Sequence, residues 1–312
     1  MTSETVNVDN FARAETDRMF AALQQQGGGV NVLHHHRAPE SLDEQPVIRQ
    51  NRDTLYSSAI VDISGGATLT LPDSNGRYLS VMVVNEDHYI NRILHEPGTY
   101  ELTTEEYDTD YVLVAARTLV DPNDPTDIAA VNALQDQMRI EAGSARTFVS
   151  PDYDASSFDT TRGALLTLSR GLPRYDGAFG RKEDVDPVRH LIGTASGWGG
   201  LPEQEAFYLN VEPGLPVGSY ELRVGDVPVD AFWSISVYNA DGYFEQVGDA
   251  DVSINSVTAV RDADGSITVR FGGAGEAPNT LGIMDGWNYA VRLYQPRTAI
   301  LDGSWTFPSL ST

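Results

Sequence analysis

Apolar residues recur at two spacings along this chain, and each spacing predicts a different kind of element. In residues 8–26 four apolar side chains fall near one helical stripe: Phe11, Met19, Ala22 and Leu23. The stripe ends before three consecutive glycines, which predict the end of a helix. Between residues 47 and 117 the apolar runs alternate every second residue, as in Ala67-Thr68-Leu69-Thr70-Leu71. The pattern predicts an N-terminal amphipathic helix followed by an antiparallel β unit.

Helical spacing returns in the middle of the chain. Asp124-Pro125 is a cap and first-turn pair, and the apolar residues after it predict a helix that continues to Gly143. A leucine-rich segment predicts a second helix that ends at Gly171, and Asp186-Pro187 opens a short third helix that ends at Gly193. The middle of the chain is therefore predicted to be helical.

Alternating runs resume after Gly218 and predict four further strands: Tyr220 to Val224, Phe232 to Asn239, Ser266 to Phe271 and Tyr289 to Tyr294. Strands thus precede and follow the helices, and the lack of strand–helix alternation argues against a doubly wound parallel sheet. The chain is predicted to be mainly β with a helical insert, in four segments: an N-terminal helix and loop (1–40), a first β unit (41–122), a helical connecting segment (123–205) and a second β unit (206–312).

The two β regions share a weak internal repeat. Residues 78–90 align with residues 232–244 at a constant offset, and Ser, Val, Asn, Asp and Tyr coincide. The shared Asn-x-Asp suits a turn, because both side chains can accept hydrogen bonds from nearby backbone amides. Gly98–Leu102 is echoed by Gly218–Leu222 at a different offset, so the strand order would have to differ between the halves. A duplication is predicted, and a chance match of two strand-turn segments is the alternative.

Several of these segments resemble a known pair of domains. The first half is similar to the bacterial domain of unknown function 1254 in three runs: Asn51-Arg52-Asp53-Thr54-Leu55-Tyr56-Ser57, Tyr78–Val81 and Asp87-His88-Tyr89. The second half is similar to its usual companion, the domain of unknown function 1214, in four runs: Phe232-Trp233-Ser234, Tyr238–Phe244, Leu293-Tyr294-Gln295-Pro296 and Leu301–Trp305. The resemblance implies two antiparallel β-sandwich or jelly-roll-like units joined by a helical segment, and almost nothing about activity.

Composition and charge exclude several classes of function. The chain has 45 acidic and 21 basic side chains, and its formal charge of −24 repels phosphate backbones and anionic lipids, so neither nucleic acid nor membrane is an expected partner. There is no cysteine, which excludes disulfides and thiolate chemistry. Because the first residues lack the features of a secretory signal and no run approaches the ~20 apolar residues of a membrane span, a cytoplasmic location is expected.

The first candidate site is the polar run around Arg52. Strand alternation places Arg52 and Asp53 on opposite faces, so each charge needs its own partner. The functional interpretation makes Arg52 an anchor for an anion, with Tyr56 beside it, and Asp53 an orienting or general-base carboxylate. The structural alternative is an ion-pair network that ties this strand to the middle helices.

The second candidate is His88, which stands where the other repeat has Gly242. Its ordinary pKa of about 6.5 suits proton transfer. Alternation would place His88 and Arg92 on one side, with Asn91 between them, as a cationic patch for a small anionic substrate. The alternative is a surface histidine bonded to a neighbouring carboxylate.

Aromatic and histidine residues complete the candidates. Three tryptophans could wall a pocket, although aromatic residues on strands more often belong to a core: Trp198, Trp233 and Trp287. His34 and His36 would share one face of extended chain and form a weak metal-binding alternative, while a chance triplet is the plainer interpretation. No Gly-x-Gly-x-x-Gly or Walker loop is present, so no nucleotide cofactor is expected.

Together these residues predict an enzyme that acts on a small, anionic organic molecule by acid/base chemistry. A lyase, isomerase or hydrolase would each fit, with the site in a cleft between the two β units. The alternative is a ligand-binding or protein-interaction module without catalysis. Sheet edges leave a homodimer open as a further expectation.

Overall fold

Antiparallel strands dominate the computed structural model, which describes residues 3–45, 48–172, 174–273 and 277–310. The chain divides into two units: unit 1 comprises Met1–Arg37, Leu55–Leu119 and Ala129–Glu203, and unit 2 comprises Ala38–Thr54, Val120–Ile128 and Gln204–Thr312. Most of the segment 123–205 therefore belongs to unit 1, whereas Arg52 and Asp53 belong to unit 2. Within the described ranges no helix is long and apolar enough to cross a membrane.

The strands of unit 1 are β1 (His34–His35), β2 (Thr54–Asp62), β3 (Ala67–Leu71), β4 (Leu79–Asn85), β5 (Ile90–Leu94), β6 (Gly98–Leu102), β7 (Tyr111–Leu119) and β8 (Arg139–Ala142). They form two sheets, with strand orders β1-β2-β7-β4-β5 and β6-β3-β8. In the larger sheet β4 is antiparallel to both β5 and β7. In the smaller sheet β3 is antiparallel to both β6 and β8.

The two sheets of unit 1 enclose one hydrophobic core. Leu69 and Leu71 from the smaller sheet meet Val81, Val83 and Val114 from the larger one, and all five are between 0% and 2% exposed. Burial of each such side chain contributes about 1.5–3 kcal/mol. The period-two pattern therefore gives the predicted antiparallel β unit, and its two sheets form the β-sandwich that the resemblance implies.

The helices are α1 (Phe11–Gly27), α2 (Thr104–Tyr107), α3 (Pro125–Gln135), α4 (Ala155–Ser169), α5 (Pro187–Gly197) and α6 (Thr298–Leu301). α1 ends where Gly28 adopts φ 78°, at the predicted glycine stop. The Asp186 side chain caps α5 by accepting from the amides of Val188 and Arg189, each at 2.9 Å. In unit 1, apolar residues of α1, α4 and α5 pack into a second core: Phe11, Ala14, Leu165, Ile192 and Ala195.

The prediction that the helix after Asp124-Pro125 continues to Gly143 is wrong. α3 ends at Gln135, and β8 then pairs with β3 at the edge of the smaller sheet. Met138 is buried in the sandwich core rather than on a helical stripe. The backbone pairing of β8 and the burial of Met138 outweigh the local helical spacing, which this segment also satisfies.

The strands of unit 2 are β9 (Ala206–Val211), β10 (Tyr220–Val224), β11 (Trp233–Tyr238), β12 (Ser253–Asn255), β13 (Ile267–Phe271), β14 (Thr280–Leu281) and β15 (Asn288–Tyr294). They form sheets of order β12-β11-β15-β9 and β10-β13-β14, antiparallel except for the short β13–β14 pair. Residues from both sheets share one core, including Leu222, Val269, Ile235 and Val291. Unit 2 is thus a second sandwich, and it contains all four predicted strands.

The internal repeat has the same topology in both units. The order β2-β7-β4-β5 corresponds to β9-β15-β11-β12, and the antiparallel pair β3–β6 corresponds to β10–β13. The aligned segments 78–90 and 232–244 both lead from a central strand into a turn, at Asn85 and Asn239. The equivalent strands therefore have the same order in both halves, contrary to what the second sequence echo suggested, and the smaller sheets differ only in their third strand: β8 pairs with β3, whereas β14 pairs with β13.

That second echo has a local cause. Gly98–Leu102 forms β6, whereas Gly218–Leu222 runs into β10, and these two strands are not equivalent in the repeat. In both runs the tyrosine hydroxyl donates to the carbonyl oxygen four residues earlier, at 2.7 Å for Tyr100 and 2.9 Å for Tyr220. The two runs are therefore similar because the same tyrosine hydrogen bond occurs at the beginning of two strands that are not equivalent.

Candidate functional site

The turn between β4 and β5 holds His88 in a left-handed backbone conformation, with φ 66°. The side-chain oxygen of Asn85 accepts from the amides of Asp87 and Tyr89, at 3.0 Å each, and so fixes the turn. Residues other than glycine adopt this conformation at a cost in free energy. The imidazole of His88 must therefore form contacts that outweigh the cost.

The imidazole of His88 is completely buried, with 0% of the residue exposed. Nε2 accepts from the amide of Gly199 at 2.9 Å, so the ring proton is on Nδ1, which lies 2.8 Å from Thr194 Oγ1. The ring stacks on Trp198 with the centroids 5.3 Å apart. Burial, and then the charge of His190, lower the pKa of His88 well below its usual value. A neutral imidazole thus fastens the turn to the end of α5.

His190, one turn earlier on α5, fastens the same turn from a second side. Its Nδ1 lies 3.0 Å from the carbonyl oxygen of Ala178, and its Nε2 lies 3.1 Å from that of Asp87. Both acceptors are carbonyl oxygens, so each ring nitrogen that carries a hydrogen can donate to the acceptor that faces it. The ring also stacks on Tyr89, with centroids 4.7 Å apart. The histidine pair therefore has a clear structural role in unit 1.

Arg92 does not share a face with His88. His88 belongs to the turn rather than to a strand, so the alternation used to place the two side chains together does not apply, and that prediction is wrong. Arg92 lies on β5, forms an ion pair with Glu106 at 3.5 Å and covers the ring of Tyr100. Asn91 donates from Nδ2 to the carbonyl oxygen of Glu106 at 3.2 Å. Both side chains serve contacts within unit 1.

Asp53 is buried in unit 2, with 1% of the residue exposed. The Ser234 hydroxyl donates to Asp53 Oδ2 at 2.5 Å. Burial raises the pKa of Asp53, and the charge of Arg292 and the Ser234 hydrogen bond counteract that rise. The partners of Asp53 therefore lie on the central strands β11 and β15, not on the middle helices that the sequence suggested.

Arg292 is the centre of this buried network. Its guanidinium donates to Tyr238 Oη at 2.6 Å, to Ser236 Oγ at 2.8 Å and to the carbonyl oxygens of Arg49 and Gln50 at 2.9 and 3.0 Å. Burial would lower the pKa of Arg292, but the neighbouring tyrosines and Asp53 outweigh burial and raise it. Arg292 was not among the residues predicted from the sequence, although a charged residue inside the apolar run Tyr289–Tyr294 is a signal that could have found it.

Arg52 lies at a cavity of about 380 Å³ whose described wall is entirely in unit 2: Leu42, Arg52, Pro122, Asn123, Gln246, Gly248, Asp249, Ala250, Asp251, Val252 and Ser253. The guanidinium donates to the carbonyl oxygen of Glu40. Burial lowers the pKa of Arg52, and the attraction of the Glu40 carboxylate recovers only part of that loss. Arg52 is therefore the one arginine among the described lining residues of this cavity, and the Glu40 carboxylate lies near it.

A larger cavity, of about 730 Å³, lies in unit 1 and is acidic. Its wall includes Asp17 and Glu86, and burial raises the pKa of both carboxyls. Arg13 donates to Glu86 Oε2 at 2.8 Å, and the Tyr153 hydroxyl donates to Asp17 Oδ2 at 2.7 Å. The wall here has four carboxylates and one arginine that is already ion-paired with Glu86, whereas the unit 2 cavity has two carboxylates and one arginine, so an anionic ligand would meet more negative charge in unit 1.

The remaining predicted aromatic residues have contacts of their own. Trp233 and Trp287 are 4% and 3% exposed and belong to the sandwich core of unit 2, so their prediction as pocket walls is wrong. Strand alternation directs the ring of Trp233 on β11 into this core, and Trp287, which directly precedes β15, donates from Nε1 to the carbonyl oxygen of Leu215 at 3.1 Å. Trp198 stacks on His88 and donates from Nε1 to Thr16 Oγ1 at 3.1 Å. The guanidinium of Arg117 lies 5.5 Å from the ring centroid of Tyr56.

The histidine triplet begins a short strand rather than a loop. His34 and His35 form β1, and the rings of His34 and His36 meet edge to face with centroids 5.2 Å apart. His35 Nδ1 lies 2.8 Å from Ser57 Oγ. Across the described residues no group of three or more histidine or carboxylate side chains is placed to hold a metal ion. The pair therefore gains no third ligand from that part of the chain.

Comparison with known proteins agrees with this architecture. The family model DUF1254, described as "Protein of unknown function", matches residues 30–142, and DUF1214, described in the same words, matches residues 215–298. A crystal structure of the VPA0106 protein from Vibrio parahaemolyticus is 16% identical, with 98% of this chain and 97% of that chain covered and a TM-score of 0.76. An uncharacterized protein from Burkholderia cenocepacia is 14% identical, with 96% and 86% covered and a TM-score of 0.52. No curated protein matches.

Proposed function

We propose a function from the geometry of this chain, which matches the DUF1254 model over residues 30–142 and the DUF1214 model over residues 215–298, two domains without an assigned activity. The chain binds a small anionic organic molecule in the unit 2 cavity that Arg52 lines. The volume of about 380 Å³ is in the range of small-molecule sites. This is a binding function, and it retains the substrate class that the sequence predicts.

The charge of Arg52 carries this proposal. A guanidinium that burial has partly stripped of water gains most from an anion, because its planar fork can donate two parallel hydrogen bonds to a carboxylate. The carbonyl oxygen of Glu40 already orients the side chain. Around it, Leu42, Pro122 and Val252 supply apolar wall against which the carbon chain of an organic acid can pack.

The positions of His88 and Asp53, the predicted catalytic pair, favour a binding function over catalysis. His88 and Asp53 belong to different units, and they are 0% and 1% exposed. A general acid or base has to reach the proton that it transfers, and both side chains already serve internal hydrogen bonds. Acid/base catalysis by this pair stays a prediction, and it would show as turnover that is lost in both His88→Gln and Asp53→Asn.

The proposal is tested by titration calorimetry of the full chain with short carboxylates such as pentanoate, after a thermal-shift screen of carboxylates, phosphates and sugars. Arg52→Gln should weaken carboxylate binding at least ~10-fold, since a charge-assisted pair contributes about 1.5–3 kcal/mol. Arg52→Lys should retain part of the affinity, because it keeps the charge and loses the fork.

The matched control is Arg223→Gln. Arg223 is an exposed arginine of the same unit that pairs with Asp264, outside the cavity wall. Equal affinity of wild type and Arg52→Gln, in protein that melts normally, would overturn the proposal. A loss of similar size in both arginine variants would do the same, because it would point to the net charge rather than to the cavity.

A further inference from the structure

The unit 2 cavity carries both signs of charge. Arg52 shares its wall with Asp249 and Asp251. A simple carboxylate would pair with Arg52 and leave two negative groups facing it, and a simple amine would repel Arg52. A ligand that carries one positive and one negative group complements both kinds of wall.

Asp251 is held in place by two hydrogen bonds. Asn123 donates from Nδ2 to Asp251 Oδ1 at 3.0 Å, and the Asp251 amide donates to the carbonyl oxygen of Thr280 at 3.1 Å. Partial burial raises the pKa of Asp251 despite the Asn123 hydrogen bond, and Asp121 adds to the rise. An ammonium group beside Asp251 would favour its ionised form, and thus bind with a gain.

The rest of the wall sets the size of the ligand. Ala250 and Val252 are buried, and with Leu42 and Pro122 they give the cavity an apolar portion between its charged groups. A space of about 380 Å³ accommodates a short aliphatic chain and both charged ends.

We propose that unit 2 binds a zwitterionic amino acid, with the carboxylate on Arg52 and the ammonium on Asp251. This inference rests on the proposed function and names its ligand class. It differs from that function in requiring the ammonium: a carboxylate site needs Arg52 alone, whereas an amino-acid site needs both side chains.

The test compares five-carbon ligands by titration calorimetry of the full chain: norvaline, 5-aminopentanoate, pentanoate and pentylamine. One of the two amino acids should bind at least ~5-fold tighter than pentanoate, and pentylamine should bind weakest, because Arg52 repels it. Norvaline carries its two charges on adjacent carbons and 5-aminopentanoate carries them at the chain ends. The pair therefore also reports the spacing between the carboxylate and the ammonium.

Asp251→Asn should abolish the advantage of the amino acid over pentanoate without weakening pentanoate itself. Asp226→Asn, an exposed carboxylate of unit 2 outside the cavity wall, is the matched control and should change neither affinity. The comparison of ligands uses wild-type protein, so it tests the amino-acid proposal even if Asp251→Asn does not fold.

The outcomes separate the two proposals. If pentanoate binds through Arg52 and neither amino acid binds more tightly, the amino-acid inference is overturned and the anion site stands. If an amino acid keeps its full advantage in Asp251→Asn, the assignment of the ammonium to Asp251 is overturned. If no carboxylate binds, or if binding does not depend on Arg52, both proposals are overturned together.

Discussion

The turn after β4 in unit 1 and the turn after β11 in unit 2 have the same backbone and different chemistry. In unit 1 the amides of Asn85 and His88 bond to the carbonyls of Tyr89 and Asn85, and in unit 2 Asn239 and Gly242 make the matching bonds. In each turn the side-chain oxygen of the asparagine also accepts hydrogen bonds from the amides two and four residues later. The left-handed position is His88 in one copy, with φ 66°, and Gly242 in the other, with φ 88°.

The outward faces of the central strands differ in the same way. Ser80 is the register partner of Arg117 in unit 1, and Ser234 is the register partner of Arg292 in unit 2. Arg117 donates to the carbonyl oxygen of Gly199 at 3.1 Å and covers an aromatic ring, whereas Arg292 is 4% exposed and bonds four oxygens. The repeat therefore preserves turns and inward apolar residues, while each unit uses its outward residues differently.

Replacing Arg292 should destabilise the protein more than replacing its counterpart Arg117. Arg292→Met should lower the free energy of unfolding by about 3–5 kcal/mol, because it leaves Asp53 buried without its compensating charge. Arg117→Met should cost about 1–2 kcal/mol, the value of one hydrogen bond and one cation–π contact. Urea unfolding followed by fluorescence measures both.

The double variant Arg292→Met, Asp53→Asn should recover part of the loss, since it removes the stranded carboxylate. Equal costs for the two single arginine variants would contradict the view that the equivalent positions have diverged. So would a double variant that is less stable than Arg292→Met alone.

A second variant replaces the left-handed residue of the unit 1 turn. His88→Gly gives unit 1 the residue that unit 2 has, and it should lower the free energy of unfolding by about 3 kcal/mol. Loss of a buried ring costs about 3–5 kcal/mol, and relief of the left-handed backbone returns about 1 kcal/mol. A neutral result would show that Trp198 and Thr194 close around the vacated space, and that the imidazole is not what fastens the turn to α5.

Sequence periodicity predicted four of the seven strands described in unit 2 and the turn chemistry, because both depend on residues close in the chain. The Asn-x-Asp repeat directly encodes hydrogen bonds between residues close in the chain, and inward apolar positions follow from strand alternation. The partners of Asp53 and His88 lie far away in sequence, at Arg292 and at Thr194, and no spacing rule reports them. The same limit explains α3: its apolar spacing fits a helix up to Met138, and only the pairing of β8 with β3 decides otherwise.

A smaller effect tests the turn of unit 2. Gly242→Ala should cost about 1–2 kcal/mol, because φ is 88° and the added Cβ would lie 3.2 Å from Ile48 Cβ. The control is Gly225→Ala, where an added Cβ meets nothing within 4 Å and φ is not in the left-handed region. If both variants melt at the wild-type temperature, the glycine is not required by the turn, and the contrast with His88 loses its structural basis.

The smallest effect is a difference in acid sensitivity between the copies. Burial lowers the pKa of His88, so the unfolded chain binds a proton near pH 6.5 while the folded chain does so only at lower pH. The stability due to the neutral ring is complete above about pH 6.5 and declines as the pH falls; the loss reaches about 1 kcal/mol at pH 5.5. Urea unfolding at pH 7.5 and pH 5.5 should show this decrement in the wild type and not in His88→Asn, which keeps a left-handed residue without a titrating ring. Since Asp17, Glu86 and the other acids are common to both proteins, they cancel in the difference, which therefore reports His88 together with its electrostatic interaction with His190. Equal decrements would mean that His88 takes up its proton in the folded chain at an ordinary pH.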